Sequence, residues 1–164
     1  MAVEMFLKVE GVVGGSRNYH HKGWADVLSW TWGLDRGQGG MGDAMQMNSL
    51  SLTKATGVDS TALMLLFAAG KPIKKAEISV VPVVGKRDAQ QKYVAITLED
   101  VIVQSITTGG SAEESVFKES ITLLFGKITY EYHHYADVAT DGAAAALKSY
   151  TFGWDLVANA ALPI

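Results

Sequence analysis

The sequence predicts a mainly β fold: two sheets forming a β-barrel, with one short α-helix packed against it. Three observations carry this. Apolar and polar residues alternate with a period of two over most of the chain, and glycine-rich turns break the alternation. One stretch reads clearly as helix, Ser60–Ala69. At 164 residues the chain suits a single domain spanning residues 1–164, and with 0 Cys it must be held by its core and not by disulfides.

The elements follow in order. Val3, Met5, Leu7 and Val9 alternate with Glu4, Lys8 and Glu10, a half-buried strand that ends at Gly11. A polar loop carrying His20 and His21 leads to a second strand, Asp26 to Leu34. Strict alternation puts Leu28, Trp30 and Trp32 on its core face, and Val27, Ser29, Thr31 and Gly33 opposite. Asp35 to Asp43 is dense in glycine and reads as a flexible segment. Met45 to Lys54 resumes as a strand with Leu50 and Leu52 inward. Asp59 is placed to cap the helix, Leu63, Leu66 and Phe67 form its apolar stripe, and Gly70 with Pro72 ends it.

Ala76–Val84, Tyr93–Thr107 and Val116–Tyr135 read as further strands. The last two exceed the usual length of about 5–6 residues, and each changes phase internally. Val94, Ile96 and Leu98 share a face, whereas Val101 and Val103 lie on the opposite parity after Glu99-Asp100. Ile121, Leu123 and Phe125 likewise give way to Ile128, Tyr130 and Tyr132 across Gly126. Both shifts read as a bulge or a change of sheet. Asp141–Ala146 is a Gly-Ala tract. Tyr150, Phe152, Trp154 and Leu156 form one face of a closing strand. No internal repeat or interdomain linker is visible.

Catalytic and ligand-binding patterns are weak. Gly37 to Gly42 matches G-x-G-x-x-G, but the segment after it alternates as a strand, where a dinucleotide site needs a helix. Adjacent strand residues point to opposite faces, so neither His20-His21 nor His133-His134 chelates a metal from one strand. The adjacent acids Glu99-Asp100 and Glu113-Glu114 read as solvated turn charges, and no serine stands in a nucleophile elbow. Neither a catalytic residue, a metal site nor a cofactor is expected. Three of the four tryptophans, Trp30, Trp32 and Trp154, alternate with small polar residues and read as core; Trp24 does not. The net charge of −3, with no basic stripe, argues against nucleic acid, and no apolar run reaches the ~20 residues of a membrane helix. The opening residues do not form a Sec signal, because Glu4, Lys8 and Glu10 interrupt them. A cytoplasmic start, with any export by another route, is the expectation.

Several blocks in order give the chain a resemblance. Met1 to Lys8, Asp26 to Gly33, Leu50 to Lys54 leading into Asp59-Ser60-Thr61, Ile96 to Val101, Ser105 to Gly110 and Phe152 to Asp155 resemble the haemolysin-coregulated protein (Hcp) family of the type VI secretion system. The resemblance implies hexameric rings that stack into the inner tube of a contractile machine, hold effector proteins in the lumen, and meet spike and sheath components. It implies secretion from the bacterial cytoplasm to the outside or to a target cell without a cleaved signal peptide. Ser29 and Thr31 are then candidates for the channel wall. Asp35, Arg36, Gln38, Met41 and Asp43 fall in a segment resembling the family's extended loop, which contacts neighbouring subunits or rings. Parts of the two long strand regions are expected to be buried only on assembly. The competing reading is a monomeric β-barrel that binds a small apolar ligand.

Overall fold

The computed structural model describes residues 2–42, 44–83, 93–135 and 147–164. The strands in chain order are β1 (Val3–Val9), β2 (Ala25–Thr31), β3 (Leu34–Arg36), β4 (Met45–Met47), β5 (Leu50–Ala55), β6 (Ile73–Pro82), β7 (Val94–Gly109), β8 (Lys118–Leu124), β9 (Lys127–Tyr135), β10 (Leu147–Asp155) and β11 (Ala160–Ala161). Among the described residues one α-helix, α1 (Ser60–Ala69), lies between β5 and β6. The main sheet runs β11-β10-β9-β7-β6-β1-β2-β5-β8, and a further pairing of β7 with β8 closes β6, β1, β2, β5, β8 and β7 into a barrel. All its pairings are antiparallel. Leu7, Val9, Val27, Leu50, Leu52, Ile78, Ile96, Val101 and Ile121 fill the interior, as side chains do in small barrels.

β7 makes both the closure and the extension possible. Its first half pairs with β6 on one side and β9 on the other, and its second half pairs with β8. The phase shift at Glu99-Asp100 is where the strand changes sheet. Asp100 adopts φ 54°, a left-handed value that reverses the inward parity between Leu98 and Val101. Gly126 faces this kink from the β8–β9 connection. Its N–H donates to the carbonyls of Glu99 (3.0 Å) and Asp100 (3.2 Å), and a Cβ there would lie 3.2 Å from the Asp100 Cβ. The region expected as Val116–Tyr135 is accordingly two strands, β8 and β9, that turn at the predicted glycine.

A second bulge corrects the reading of β2. The register jumps between Val27 and Ser29: Val27 pairs with Lys54, Ser29 with Thr53 and Trp30 with Leu52. Leu28 is the extra residue and is 46% exposed, whereas Val27 is buried in the core. Strict alternation had assigned these two residues the other way round. Beyond the bulge Trp30 and Trp32 pack against the core, and Ser29 and Thr31 face outward.

The helix also differs from its expectation. Gly70 takes the left-handed C-cap, with its N–H on the Phe67 carbonyl and that of Lys71 on Leu66. Asp59, however, makes no side-chain cap. It turns into the barrel mouth, where its carboxylate lies 3.2 Å from Lys54 Nζ, which also donates to Glu119 Oε2 at 3.0 Å and to the Ala55 carbonyl at 2.7 Å. Lys54 is 0% and Glu119 1% exposed, so one ammonium ties the start of α1 to β5 and β8 in a dry site. Leu63 is buried and Leu66 packs against the core, but Phe67 is largely exposed and does not complete the predicted stripe. Met45 to Lys54 is broken into β4 and β5 around Asn48, and β3 pairs with β4 as a ribbon, with a 3₁₀ turn at Gly40–Gly42 between them. Asp141–Ala146 lies outside the described residues.

Two stability tests follow. Lys54→Met leaves two buried carboxylates without their ammonium, and should cost about 3–5 kcal/mol in urea unfolding. Lys75→Met removes an exposed pair with Glu77 and should cost under about 1 kcal/mol. Trp30→Ala should cost about 3 kcal/mol, while Thr31→Lys, on the outer face, should stay within about 0.5 kcal/mol of the parent. The reverse order in the second pair would mean that the phase assigned to β2 is wrong.

Candidate functional site

The outer face of the four adjacent barrel strands β2, β5, β8 and β7 is paved with hydroxyls. Cross-strand register aligns Ser29, Thr53, Ser120 and Thr107 in one row, and Thr31, Ser51, Thr122 and Ser105 in the next. Each strand contributes the same triplet, hydroxyl–apolar–hydroxyl: Ser29-Trp30-Thr31, Ser51-Leu52-Thr53, Ser105-Ile106-Thr107 and Ser120-Ile121-Thr122. The apolar member points to the core and the two hydroxyls point out. A shallow depression of about 230 Å³ lies over the centre of this wall. Ser51 Oγ and Thr122 Oγ1 stand 3.5 Å apart, at the limit of a hydrogen bond. The two rows hold no charged side chain, so the surface can hydrate and hydrogen-bond without attracting either sign of charge.

Both candidate wall residues, Ser29 and Thr31, belong to this surface, and its other six hydroxyls were missed. The repeated triplet was present in the sequence, but triplets far apart in the chain become one surface only through the pairings of β5 with β8 and of β8 with β7.

The wall is bounded on each side by an incompletely paired strand. On β2 the ladder with β1 covers Ala25 to Val27, so Leu28 to Thr31 have no strand partner on that side among the described residues. On β7 the ladder with β6 stops at Val101, so Ile102 to Gly109 are likewise unpaired opposite β8. Apolar side chains are exposed at the same places. Leu28 lies on one margin, and Ile102 (50% exposed) with its cross-strand partner Leu124 (42%) lies on the other.

The candidate loop residues lie apart from the wall. Asp35 and Arg36 are on β3, Gln38 follows, and Met41 in the 3₁₀ turn is 98% exposed. Asp43 lies outside the described residues. Among the described residues the ribbon forms a two-stranded sheet of its own; Gly33, whose carbonyl accepts from the Asn48 N–H at 3.0 Å, and Met47, which packs against the core, join it to the barrel.

The histidines have separate surroundings. His21, placed by the sequence in a polar loop, is nevertheless buried, stacked on Phe6 at 4.4 Å and sharing a hydrogen bond of 3.0 Å with Ser79 Oγ. His20 is exposed, His133 Nδ1 meets Ser149 Oγ, and His134 Nδ1 meets the Tyr132 hydroxyl. Among the described residues no group of three or more potential ligands could hold a metal. No helix among them is long and apolar enough to cross a membrane.

Comparison with known proteins agrees with this architecture. Residues 6–132 match the family described as type VI secretion system effector, Hcp. The chain is 33% identical to protein hcp1 of Pseudomonas aeruginosa over 166 residues, covering 97% of this chain and 98% of that protein. The crystal structure of Hcp1 from Salmonella typhimurium is 26% identical, covers 99% of this chain and 100% of its own, and superposes with a TM-score of 0.77. A structure described as a type six secretion system protein shares the fold with a TM-score of 0.83 at 22% identity, over 98% of this chain and 100% of that one. A match of this length, in family, sequence and fold together, places the chain in the Hcp family of type VI secretion proteins.

Proposed function

We propose that the chain is a ring-forming tube subunit, with six copies closed head to tail, the hydroxyl wall lining the channel, and effector proteins as cargo. The observation that carries this reading is the pair of unpaired, apolar margins bounding one uncharged four-stranded wall. Open strand edges are surfaces that proteins cover or pair. Two different margins on opposite sides of one wall suit a head-to-tail contact, in which each meets the other on the next copy and the series closes into a ring when the rotation allows. Joining margin to margin turns each wall into a segment of one continuous inner surface.

That surface suits transport. Small hydroxyls leave room and keep a water layer, so a folded cargo is held by many weak contacts and not by a few strong ones. The ribbon with Asp35, Arg36, Gln38 and Met41 is the element for contact with a neighbouring subunit or the next ring. A two-stranded ribbon is only marginally stable alone, and apart from Met47 against the barrel core it presents exposed residues that a neighbour can cover. Spike and sheath are the remaining partners of such a tube, and its route runs from the cytoplasm outward through the machine. Residues 1–164 act as one unit in it, with an assembly role and not a catalytic one. The alternative of a monomeric barrel around an apolar ligand finds no support in an interior filled by Leu50, Ile78, Ile96, Val101 and Ile121.

With 0 native cysteines, the margins can be tested directly. Leu28→Cys and Ile102→Cys in one chain, treated with a short bis-maleimide, should give a covalent ladder ending at the hexamer. A mixture of the two single variants should stop at dimers. Wild-type chain that runs as a monomer in sizing would remove the ring. A wild-type ring with no ladder would remove only the margin assignment.

A further inference from the structure

The two ends of β7 carry unlike surfaces. At its C-terminal end the β7–β8 hairpin, residues 110–117, projects past the end of β5, where the Thr56 N–H donates to the Phe117 carbonyl at 2.9 Å. The tip holds two adjacent exposed acids, Glu113 and Glu114. Ser111 fixes their turn: its Oγ accepts from the Glu113 N–H at 3.4 Å and its carbonyl from the Glu114 N–H at 3.0 Å. Val116 and Phe117 beside them are half-exposed. The Phe117 ring packs so closely on Gly110 that a Cβ there would lie 2.5 Å from it, so one side of the ring is fixed and the rest stays open.

At the N-terminal end Tyr93 directly precedes β7, and Tyr132 on β9 and Tyr150 on β10 continue the row across the extension. Tyr93 meets Tyr132 edge-on at 5.6 Å, and Tyr132 stacks on Tyr150 at 6.3 Å. Tyr93 and Tyr150 are nonetheless exposed. His134 and its register partner Lys148 stand on the same face, two residues along each strand. Lys148 Nζ lies 5.1 Å from the centre of the Tyr150 ring, which holds the ammonium at the patch without neutralising it. No ion pair among the described residues engages Lys148, Glu113 or Glu114.

From these two surfaces we propose that the hairpin tip of one copy docks on the tyrosine face of a second copy in the next ring. Phe117 packs on the tyrosines while Glu113 and Glu114 meet Lys148. Charge and surface type are both complementary: an acidic tip with an aromatic anchor meets an aromatic patch with an unpaired ammonium. Lys118 at the base of the hairpin offsets only one of its two acids. Within one copy the surfaces cannot meet, because the 16 residues of β7, about 50 Å when straight, separate them. A head-to-tail contact joins one end to the other and repeats from copy to copy. The placement in the next ring rests on the ring reading; the pairing of the two surfaces does not.

The test reverses the charge on each side. Lys148→Glu alone, or Glu113→Lys/Glu114→Lys alone, sets like charges together at every junction. Association between rings, followed by the concentration dependence of the sedimentation coefficient, should then weaken at least about tenfold, since all contacts of a junction act together. An equimolar mixture of the two variants puts opposite charges back at each mixed junction and should recover the association. Rings of Phe117→Cys mixed with rings of Tyr150→Cys should give cross-linked pairs with a short bis-maleimide, and neither variant alone should. No association between wild-type rings, unchanged association in the single reversals, or no recovery on mixing overturns the contact. Rings that fall apart on a single reversal place the contact inside the ring and also overturn the proposal. Wild-type chain that stays monomeric in sizing ends the ring reading. The same mixing and cross-linking between monomers then decides the pairing: cross-linked pairs keep it, and their absence overturns it.

Discussion

A strand of 16 residues can belong to two sheets only if its side chains change parity where one sheet hands over to the other, and β7 does this at Asp100. The left-handed residue costs backbone energy, and the contact with Gly126 offsets it by giving the Glu99 and Asp100 carbonyls a shared donor. The two strands after the β7 hairpin are placed by the same kink. β8 follows the second half of β7 into the barrel, and β9 follows the first half into the extension that carries β10 and β11. Without the parity change, either Leu98 or Val101 would face water, and the barrel would stay open.

Barrel closure leaves one end to be sealed, and there the chain uses charge. The helix begins at the barrel mouth, where Lys54 meets Asp59 and Glu119 with almost no solvent contact. A buried ion cluster adds little net stability over apolar packing, but it tolerates few alternatives, because any displaced member leaves a desolvated charge. The helix is thereby located by its first turn while much of its apolar surface, Leu65 and Phe67 among it, remains outside the core.

The surfaces left over divide by chemistry. One side of the barrel is uncharged and hydroxyl-lined, its margins are unpaired and apolar, and the two ends of β7 carry an acidic hairpin and a tyrosine face. Such a division has little purpose in an isolated barrel. It fits the proposed ring subunit, in which such faces would meet different neighbours.

Much of this was legible in the residues. Period-two alternation identified most strands, Gly70 marked the helix end, and the parity shifts at Glu99-Asp100 and Gly126 located the sheet changes, because each is a local property of a few consecutive residues. The bulge at Leu28 was not legible: it arises from pairing β2 with β5 across a sequence separation that no local pattern records, and it exchanged the places of Val27 and Leu28. Asp59 read as a helix cap because its partner Glu119 is remote in sequence and meets it only through Lys54. His21 does lie in the predicted loop, but its burial was not legible, for the same kind of reason: it is supplied by Phe6 and Ser79 from other strands. By itself, then, the sequence determined the barrel class, the helix and the hydroxyl character of Ser29 and Thr31, all set by short-range periodicity. Only the tertiary structure decided that four separate Ser-x-Thr triplets form one wall and that two strand ends lie unpaired at its sides, because register and closure come from contacts between residues far apart in the chain.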